Sequence, residues 1–399
     1  MDSSCWENLL LTLSRILGVF PSGRRGLLSW IHSLWCLFLL LYVWVGSVCK
    51  CVEFRGDMPI IEKLLYLMEF PGNMSTIAIL AYYAVASSRS YHELELQIHR
   101  LIKGLEGEAI RIVYKKQGQR ALRLMVMVIV FHGLCAVVDI VTSKFEFWTT
   151  FYSNSVYNLP ALMMSLGVLQ YALPVHQLCL LLEQMRASLE DLKLRQRPSR
   201  DITKLDAGYE SAFAVLVDAG GASFLLVEEM RSACNLIELT HKQLLTRFGP
   251  FLLLNLVNSL ISFCVELYLL FNFFENPLWE ESLLLIYRLL WLLLHGGRIW
   301  FILAVNEQIL EQKCNLCQLL NELEVCSSHL ERTLNRFLLQ LQASIEQPPA
   351  ACGIVTLDTL SLGGFIGVLM AIVIFLIQIG LGNKSLMGVA LNRSNWVYV

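Results

Sequence analysis

Seven stretches of the chain are long, apolar and nearly free of charge: residues 27–49, 64–86, 121–141, 157–182, 251–274, 283–304 and 363–381. A helix needs about 20 mainly apolar residues to cross a bilayer, so each stretch predicts a transmembrane helix. The last, GGFIGVLMAIVIFLIQIGL, carries no charge and a single amide, Gln378. An amide inside lipid is costly unless it meets water or a partner. Phe375, Ile374 and Ala371 precede it by three, four and seven residues and share its helical face, with Ile379 on the flank. The pattern allows two readings: Gln378 bonds a neighbouring helix, as amides in membranes do, or the helix lines an aqueous path.

Two spans are interrupted. Glu69 breaks the second; Arg288, His295 and Arg298 break the sixth. Pro71 in the second and Pro160 and Pro174 in the fourth predict kinks that neighbouring helices must tolerate.

The links between spans alternate long and short, and the long ones have helical periodicity. Residues 91–119 read as a helix continuing out of the second span. Residues 208–247 and 307–342 read likewise, the latter with a stripe of Leu316, Leu319, Leu320, Leu323, Leu330, Leu334 and Leu338. Such a stripe packs within its own subunit or joins subunits; several extensions on one side favour a bundle that joins them. Residues 195–200 (RQRPSR) are the most loop-like stretch, and 351–358 form a short amphipathic approach to the last span.

Basic residues set the orientation, since cytoplasmic loops carry the excess of Lys and Arg. Twenty-two fall in residues 1–26 and in the links 87–120, 183–250 and 305–362, against six in the remaining links and the tail. The expected fold is thus an all-α membrane protein of seven transmembrane helices. Its amino terminus is cytoplasmic, its carboxyl-terminal tail 382–399 is extracellular, and its cytoplasmic helical extensions form an anchor bundle. Asn383-Lys-Ser385 and Asn392-Arg-Ser394 are glycosylation sequons in that tail.

Composition agrees: 56% of the 399 residues are hydrophobic and 16% charged, whereas a soluble domain is about half apolar and about a quarter charged. A net charge of -2 offers nothing to nucleic acid. The first apolar run, beginning at Leu27 after polar and basic residues, is too long for a signal-peptide core and reads as a span that directs insertion. Of the 12 cysteines, Cys36, Cys135, Cys179 and Cys264 sit inside apolar runs as small core residues. Cys49 and Cys51 are spaced awkwardly for pairing with each other. Cys314 and Cys317 form a lone CxxC with no second pair and no histidine spacing for a metal. No phosphate-cradling glycine loop, nucleophile elbow or metal-binding histidine pair occurs, so neither catalysis nor a cofactor is expected.

What remains is polar chemistry inside the membrane. The outer halves of the spans offer Glu69, His132, Asp139, Tyr157, Gln170, Glu266, Tyr268, Tyr287, Arg288 and Trp291. Glu266 and Arg288 lie at similar depth on consecutive helices, either neutralising each other or lining a pocket. Aromatic walls with a few polar groups suit a small-ligand site, although ordinary helix packing explains any one of these aromatics. Arg298 and His295 lie deeper, serving an inner vestibule or snorkelling.

This order of features resembles the insect gustatory receptors: seven spans, an inside amino terminus, long cytoplasmic links and a distinctive last helix. That family's signature is Thr-Tyr, five mostly aliphatic residues, then Gln-Phe. Here the positions hold Ala371-Ile372, the spacer 373–377, and Gln378-Ile379; the glutamine and the spacer match while Thr, Tyr and Phe are replaced. Gly353 and Leu357-Asp358 also resemble the family's approach to this helix. The resemblance implies a ligand-gated, non-selective cation channel in the plasma membrane of chemosensory neurons, assembled as a tetramer with the seventh helix lining the pore. It implies a tastant pocket among spans two to six, with Gln378 as the pore glutamine, Ile379 in the gate-region position and Phe375 facing the pore one turn earlier. The divergent signature leaves a homotetramer and a heteromer with other gustatory receptors both open. The ligand class stays open among bitter compounds, sugars and pheromones; the absence of a carboxylate cluster disfavours a sugar.

Two other classes compete. A G-protein-coupled receptor places its amino terminus outside and commonly carries an acidic-Arg-aromatic triplet at the cytoplasmic end of the third span; here that end reads Arg120-Ala-Leu-Arg123. A transporter could use Glu69, Glu266 and Arg288, but no inverted repeat is visible.

Overall fold

The computed structural model describes residues 3–20, 27–52, 60–86, 88–104, 107–142, 147–196, 209–275, 282–323 and 328–395. Eleven α-helices are described: α1 (Ser3–Ile16), α2 (Leu27–Val52), α3 (Ile60–Ala86), α4 (Ser88–Lys103), α5 (Gly107–Thr142), α6 (Phe147–Ser153), α7 (Leu159–Gln196), α8 (Tyr209–Glu275), α9 (Ser282–Asn321), α10 (Ser328–Glu346) and α11 (Ser361–Asn395). A π-helical turn, Asn154–Asn158, joins α6 to α7. The described residues hold two short strands, β1 (Ala350–Ala351) and β2 (Val355–Thr356).

Among the described residues, six helices are long and apolar enough to cross a membrane. The 27-residue α3, with Pro71 inside it, carries the remaining predicted span. α7 is enclosed on most sides, whereas α2, α5 and α11 leave most of their apolar surface bare, as lipid-facing or subunit-facing helices must. The long links are helical, as their periodicity predicts. α8 alone has 67 residues, about 100 Å of rise, so it runs far beyond any bilayer.

Several boundaries differ from the sequence reading. The helix expected over 91–119 is two helices: α4 ends at Gly104, whose N–H bonds back to the carbonyls of Arg100 and Leu101 at 3.1 and 3.2 Å. Glycine is a poor helix former and a common terminator. The helix expected over 307–342 is likewise divided between α9 and α10. Pro160 lies within the continuous helical stretch Thr150–Leu194, two residues after the π-helical turn. α11 runs on to Asn395, past the end expected at 381. The loop-like residues 195–200 fall largely outside the described residues.

The leucine stripe is also used differently. Leu316, Leu319, Leu320, Leu323, Leu330 and Leu334 are all buried, in one core with Val227, Cys234, Ile237 and Phe337. α10 therefore packs its apolar face on α8 and α9 of its own chain, as the within-subunit alternative describes. Lys313 of α9, itself buried, bonds Glu238 of α8 and donates to Ser344 Oγ of α10 at 2.7 Å; Ser344 Oγ donates to Glu238 at 2.7 Å. This three-way contact fixes the register of the bundle.

The short amphipathic approach to the last helix is a hairpin of β1 and β2. Cys352 and Gly353 both have positive φ (54° and 69°), the conformation of the tight turn that suits two twisted strands. Ile354 N–H closes it on Ala351 C=O at 3.0 Å. Ala351 and Leu357 are fully buried, and Gly249 of α8 lets the Cys352 backbone come close: a Cβ at Gly249 would stand 3.2 Å from Cys352 N. Asp358 Oδ1 then accepts from Ser361 N–H at 2.9 Å, capping α11.

Inside a bilayer helices are held by close packing, and small residues set how near they come. A Cβ at Gly167 would lie 2.8 Å from both Leu80 of α3 and Phe251 of α8, so α7 meets two helices there at once. Gly167→Val is expected to lower the stability of the purified protein by roughly 1–3 kcal/mol through overpacking, read as a lower thermal midpoint in detergent. Gly133→Val, where nothing lies within 4 Å, is expected to leave the midpoint nearly unchanged; equal effects of the two would remove this role for Gly167.

Candidate functional site

α8 carries polar side chains at helical spacing through its membrane stretch: Asn255, Asn258, Ser259, Ser262 and Glu266, all buried. Positions separated by three and four lie on one face, and this face looks into the protein. Asn258 donates to Asn73 Oδ1 of α3 at 2.7 Å, and Ser262 donates to Glu69 Oε1 of α3 at 2.9 Å. One turn further on, Arg288 of α9 reaches both oxygens of Glu266 at 3.2 Å. The two sequence alternatives for Glu266 and Arg288 thus resolve into contact: they are an ion pair. Glu69 lies close enough to feel both charges, so three predicted residues form one cluster.

A second network runs beside it. Asp139 of α5 accepts from Ser153 at 3.0 Å and from Asn154 Nδ2 at 2.6 Å. Asn158 Nδ2 donates to Asn154 Oδ1 at 3.1 Å, and Asn158 Oδ1 pairs with His132 Nδ1 at 2.7 Å. His132 Nε2 meets Ser165 Oγ at 3.2 Å, and Arg298 donates to Ser165 Oγ at 3.2 Å and to Ala161 C=O at 2.6 Å. The π-helical turn makes this possible: its wider coil sets Asn154 and Asn158 on α5, and such turns recur at functional sites. Arg298 and His295 are buried at 5% and 2% exposure, so neither snorkels. Arg298 is anchored, with its Nε and Nη1 unbonded among the described residues.

Aromatic residues join the two networks. Tyr287 stands near Asp139, Arg288 and Glu266 and packs edge-on against Trp291, ring centroids 6.0 Å apart. Trp291 stacks on His295 at 5.8 Å. Tyr157, in the π-helical turn, packs on Phe70 of α3 at 5.6 Å. Glu69, His132, Asp139, Tyr157, Glu266, Tyr287, Arg288 and Trp291 therefore fall in one region between α3, α5, α7, α8 and α9.

Two predicted residues stand elsewhere. Gln170 lines a cavity among α1, α4, α5 and α7 instead. Tyr268 and Val265 of α8 pack with Leu376 of α11, supported by Ile372 and Ile377. Because Glu266 and Tyr268 are two residues apart on one helix, the face that holds Arg288 and the side that holds α11 move together.

α11 touches its own chain chiefly along α8, and between Ser361 and Gln378 only Leu376 is fully buried. Ala371, Ile374, Phe375 and Gln378 are exposed, Phe375 at 60% and Ile374 at 48%. The four residues that the sequence singles out are thus exposed, as are Ile366, Val368 and Met370 of the same helix. Among the described residues no side-chain hydrogen bond is made by the Gln378 amide. The side chain of Ile379 lies outside the described residues.

Asn73, Asn154, Asn158, Ser165, Asn258 and Ser262 were not among the sequence candidates. The α8 stripe was open to detection as polar residues at helical spacing in an apolar run. The asparagines of the π-helical turn gave no such signal, since their register depends on the extra residue in the coil.

The family description "7tm Chemosensory receptor" matches residues 7–383. The chain is 74% identical over 399 residues to gustatory receptor 59e of Drosophila melanogaster, covering the whole of both. It is 24% identical over 242 residues to gustatory receptor 59f of the same organism, 60% of this chain and 53% of that one. In fold it is similar to the insect olfactory receptor OR5 from Machilis hrabei, with TM-score 0.67, 13% identity, and 94% and 98% of the two chains covered. The structure of that receptor in complex with eugenol matches with TM-score 0.61, covering 95% and 100%. Membrane helices in this arrangement, a family match across nearly the whole length and a close relative end to end lead to one conclusion: the protein belongs to the 7tm chemosensory receptor family, alongside the gustatory receptors of insects.

Proposed function

We propose that the chain is a subunit of a ligand-gated, non-selective cation channel for tastants, bitter or other contact chemicals, in the plasma membrane of chemosensory neurons. The observation that carries this is the outward face of α11: an apolar helix showing Ala371, Ile374, Phe375 and the Gln378 amide to something other than its own chain. Four such faces around a shared axis give the amide water and bury the apolar residues against equivalents, as a homotetramer or with other gustatory receptors. In the closed form the ring of Ile374 and Phe375 keeps the path too narrow and apolar for hydrated ions.

The ligand binds among Glu69, His132, Asp139, Tyr157, Glu266, Tyr287, Arg288 and Trp291, and opens the channel only by binding the open arrangement more tightly. A neighbour of the same fold binds eugenol, which supports a small organic ligand here. Displacement of α8 at Glu266 reaches α11 through Tyr268 and Leu376. A G-protein-coupled reading is not favoured by the family match or the fold.

Three measurements test this. Gln378→Ala is expected to change single-channel conductance or cation preference at least about twofold, at unaltered surface expression, because the amide borders the ion path; wild-type currents from well-expressed variant channels would remove it from the pore. Tyr268→Ala is expected to raise the half-activating ligand concentration about 5- to 150-fold, the range of a coupling energy of about 1–3 kcal/mol, with ligand binding retained. An unshifted response would break the proposed link. An epitope after Val399 is expected to be accessible on intact cells and one before Met1 only after permeabilisation; the opposite result would invert the orientation and the pocket with it.

A further inference from the structure

Gln170 does not join the polar region between α3, α5, α7, α8 and α9, and its own surroundings are informative. It lines a cavity of about 130 Å³ bounded by α1, α4, α5 and α7. Much of the wall is apolar: Leu10, Leu94, Ile98 and Ile102 are each at most 5% exposed. Tyr91, Glu95, His99, Tyr114 and Gln177 bring polar groups to it as well, and two amides with unbonded buried atoms belong to its lining. Gln117 is 1% exposed and Gln170 5% exposed. Gln117 Nε2 donates to Leu173 C=O at 3.1 Å, which fixes its other atom as the carbonyl. That carbonyl has no partner among the described residues, and neither does Gln170 Nε2.

A buried acceptor and a buried donor left without partners each cost about 1–3 kcal/mol. Both belong to residues that line one hollow of mixed apolar and polar character. A cavity of about 150 Å³ holds a benzene ring, so the space fits one small ring or a short chain. The polar atoms call for a group that donates and accepts at once.

We propose that this cavity is a second small-molecule site, taking a neutral single-ring or short-chain compound that carries one hydroxyl or primary amide. The group donates to Gln117 Oε1 and accepts from Gln170 Nε2, while the apolar body lies on Ile98, Ile102, Leu94 and Leu10. The site involves α4, the helical link between the second and third spans, and so sits at the end of the bundle where the links are helical. It is separate from the region around Glu266 and Arg288. Bound there, the compound ties α1 and α4 to α5 and α7. The proposal does not depend on the channel reading, because occupancy is measured without current.

The test uses the full chain in nanodiscs and a benzyl alcohol bearing a trifluoromethyl diazirine, photolysed and mapped by mass spectrometry. Labelling is expected on α4 and α7 around Ile98, Ile102 and Leu173, and competed by excess benzyl alcohol about tenfold better than by toluene. Gln170→Leu is expected to lower this labelling about 3- to 10-fold, and Ile98→Trp, which fills the hollow, by more than tenfold. Labelling of the lipid-facing side of α2 serves as the internal reference and stays constant. Should Ile98→Trp fail to fold, Gln170→Leu and the benzyl alcohol–toluene comparison decide. Labelling confined to lipid-facing positions, equal competition by toluene, or no effect of Gln170→Leu would overturn the proposal and leave water as the occupant.

Discussion

A full charge within an apolar helix bundle is tolerated only beside its opposite, and the contact of Arg288 with Glu266 meets that requirement for α9 and α8. Removing either partner strands the other in a place where water cannot replace it. The pair also fixes how far α9 is turned about its axis, which decides where Tyr287, Trp291 and Arg298 point. Glu69 approaches the same pair from α3 through Ser262. Three helices are thus set in rotation by one group of charges, and the aromatic walls follow.

α8 is the element through which these constraints reach the rest of the molecule. Near its middle Glu238 binds Lys313 and Ser344 and holds α9 and α10. About three turns on, Gly249 accepts the hairpin that leads to α11. Further along, its polar face serves α3 and α9, and Tyr268 and Val265 meet Leu376. Pro250 stands inside α8 and removes one of its helical hydrogen bonds, so the stretch that holds Glu238 and the stretch that holds Glu266 meet at a point of lower stiffness. The buried amides and hydroxyls between them make sliding unfavourable, since each slip leaves groups unpaired.

The membrane helices were legible because lipid allows few solutions: a long uncharged run must be a helix. That Ala371, Ile374, Phe375 and Gln378 share a face of α11 was legible from their spacing, and the structure leaves all four exposed. The pairing of Glu266 with Arg288 could be suspected from depth but not settled, because helix rotation is a tertiary property. Gln170 was misplaced because depth along α7 says nothing about which neighbours surround it. The leucine stripe was real, yet periodicity does not tell an inner partner from an outer one; α8 and α9 of the same chain take it. The hairpin at Cys352 and Gly353 was hidden, since only the backbone angles reveal it.

That hairpin has a mechanical consequence. Its turn is tight, its flanks Ala351 and Leu357 are buried, and Asp358 clasps the first turn of α11. The foot of the last helix is therefore clamped while its upper part rests on one neighbour. From Ser361 to Gln378 the helix rises about 25 Å. On such a lever a tilt of about 5° carries the amide sideways by about 2 Å, with almost no travel at the base. Dilation of a conduit built from these staves would be conical, widest beside the amide, and the fulcrum would be two left-handed residues.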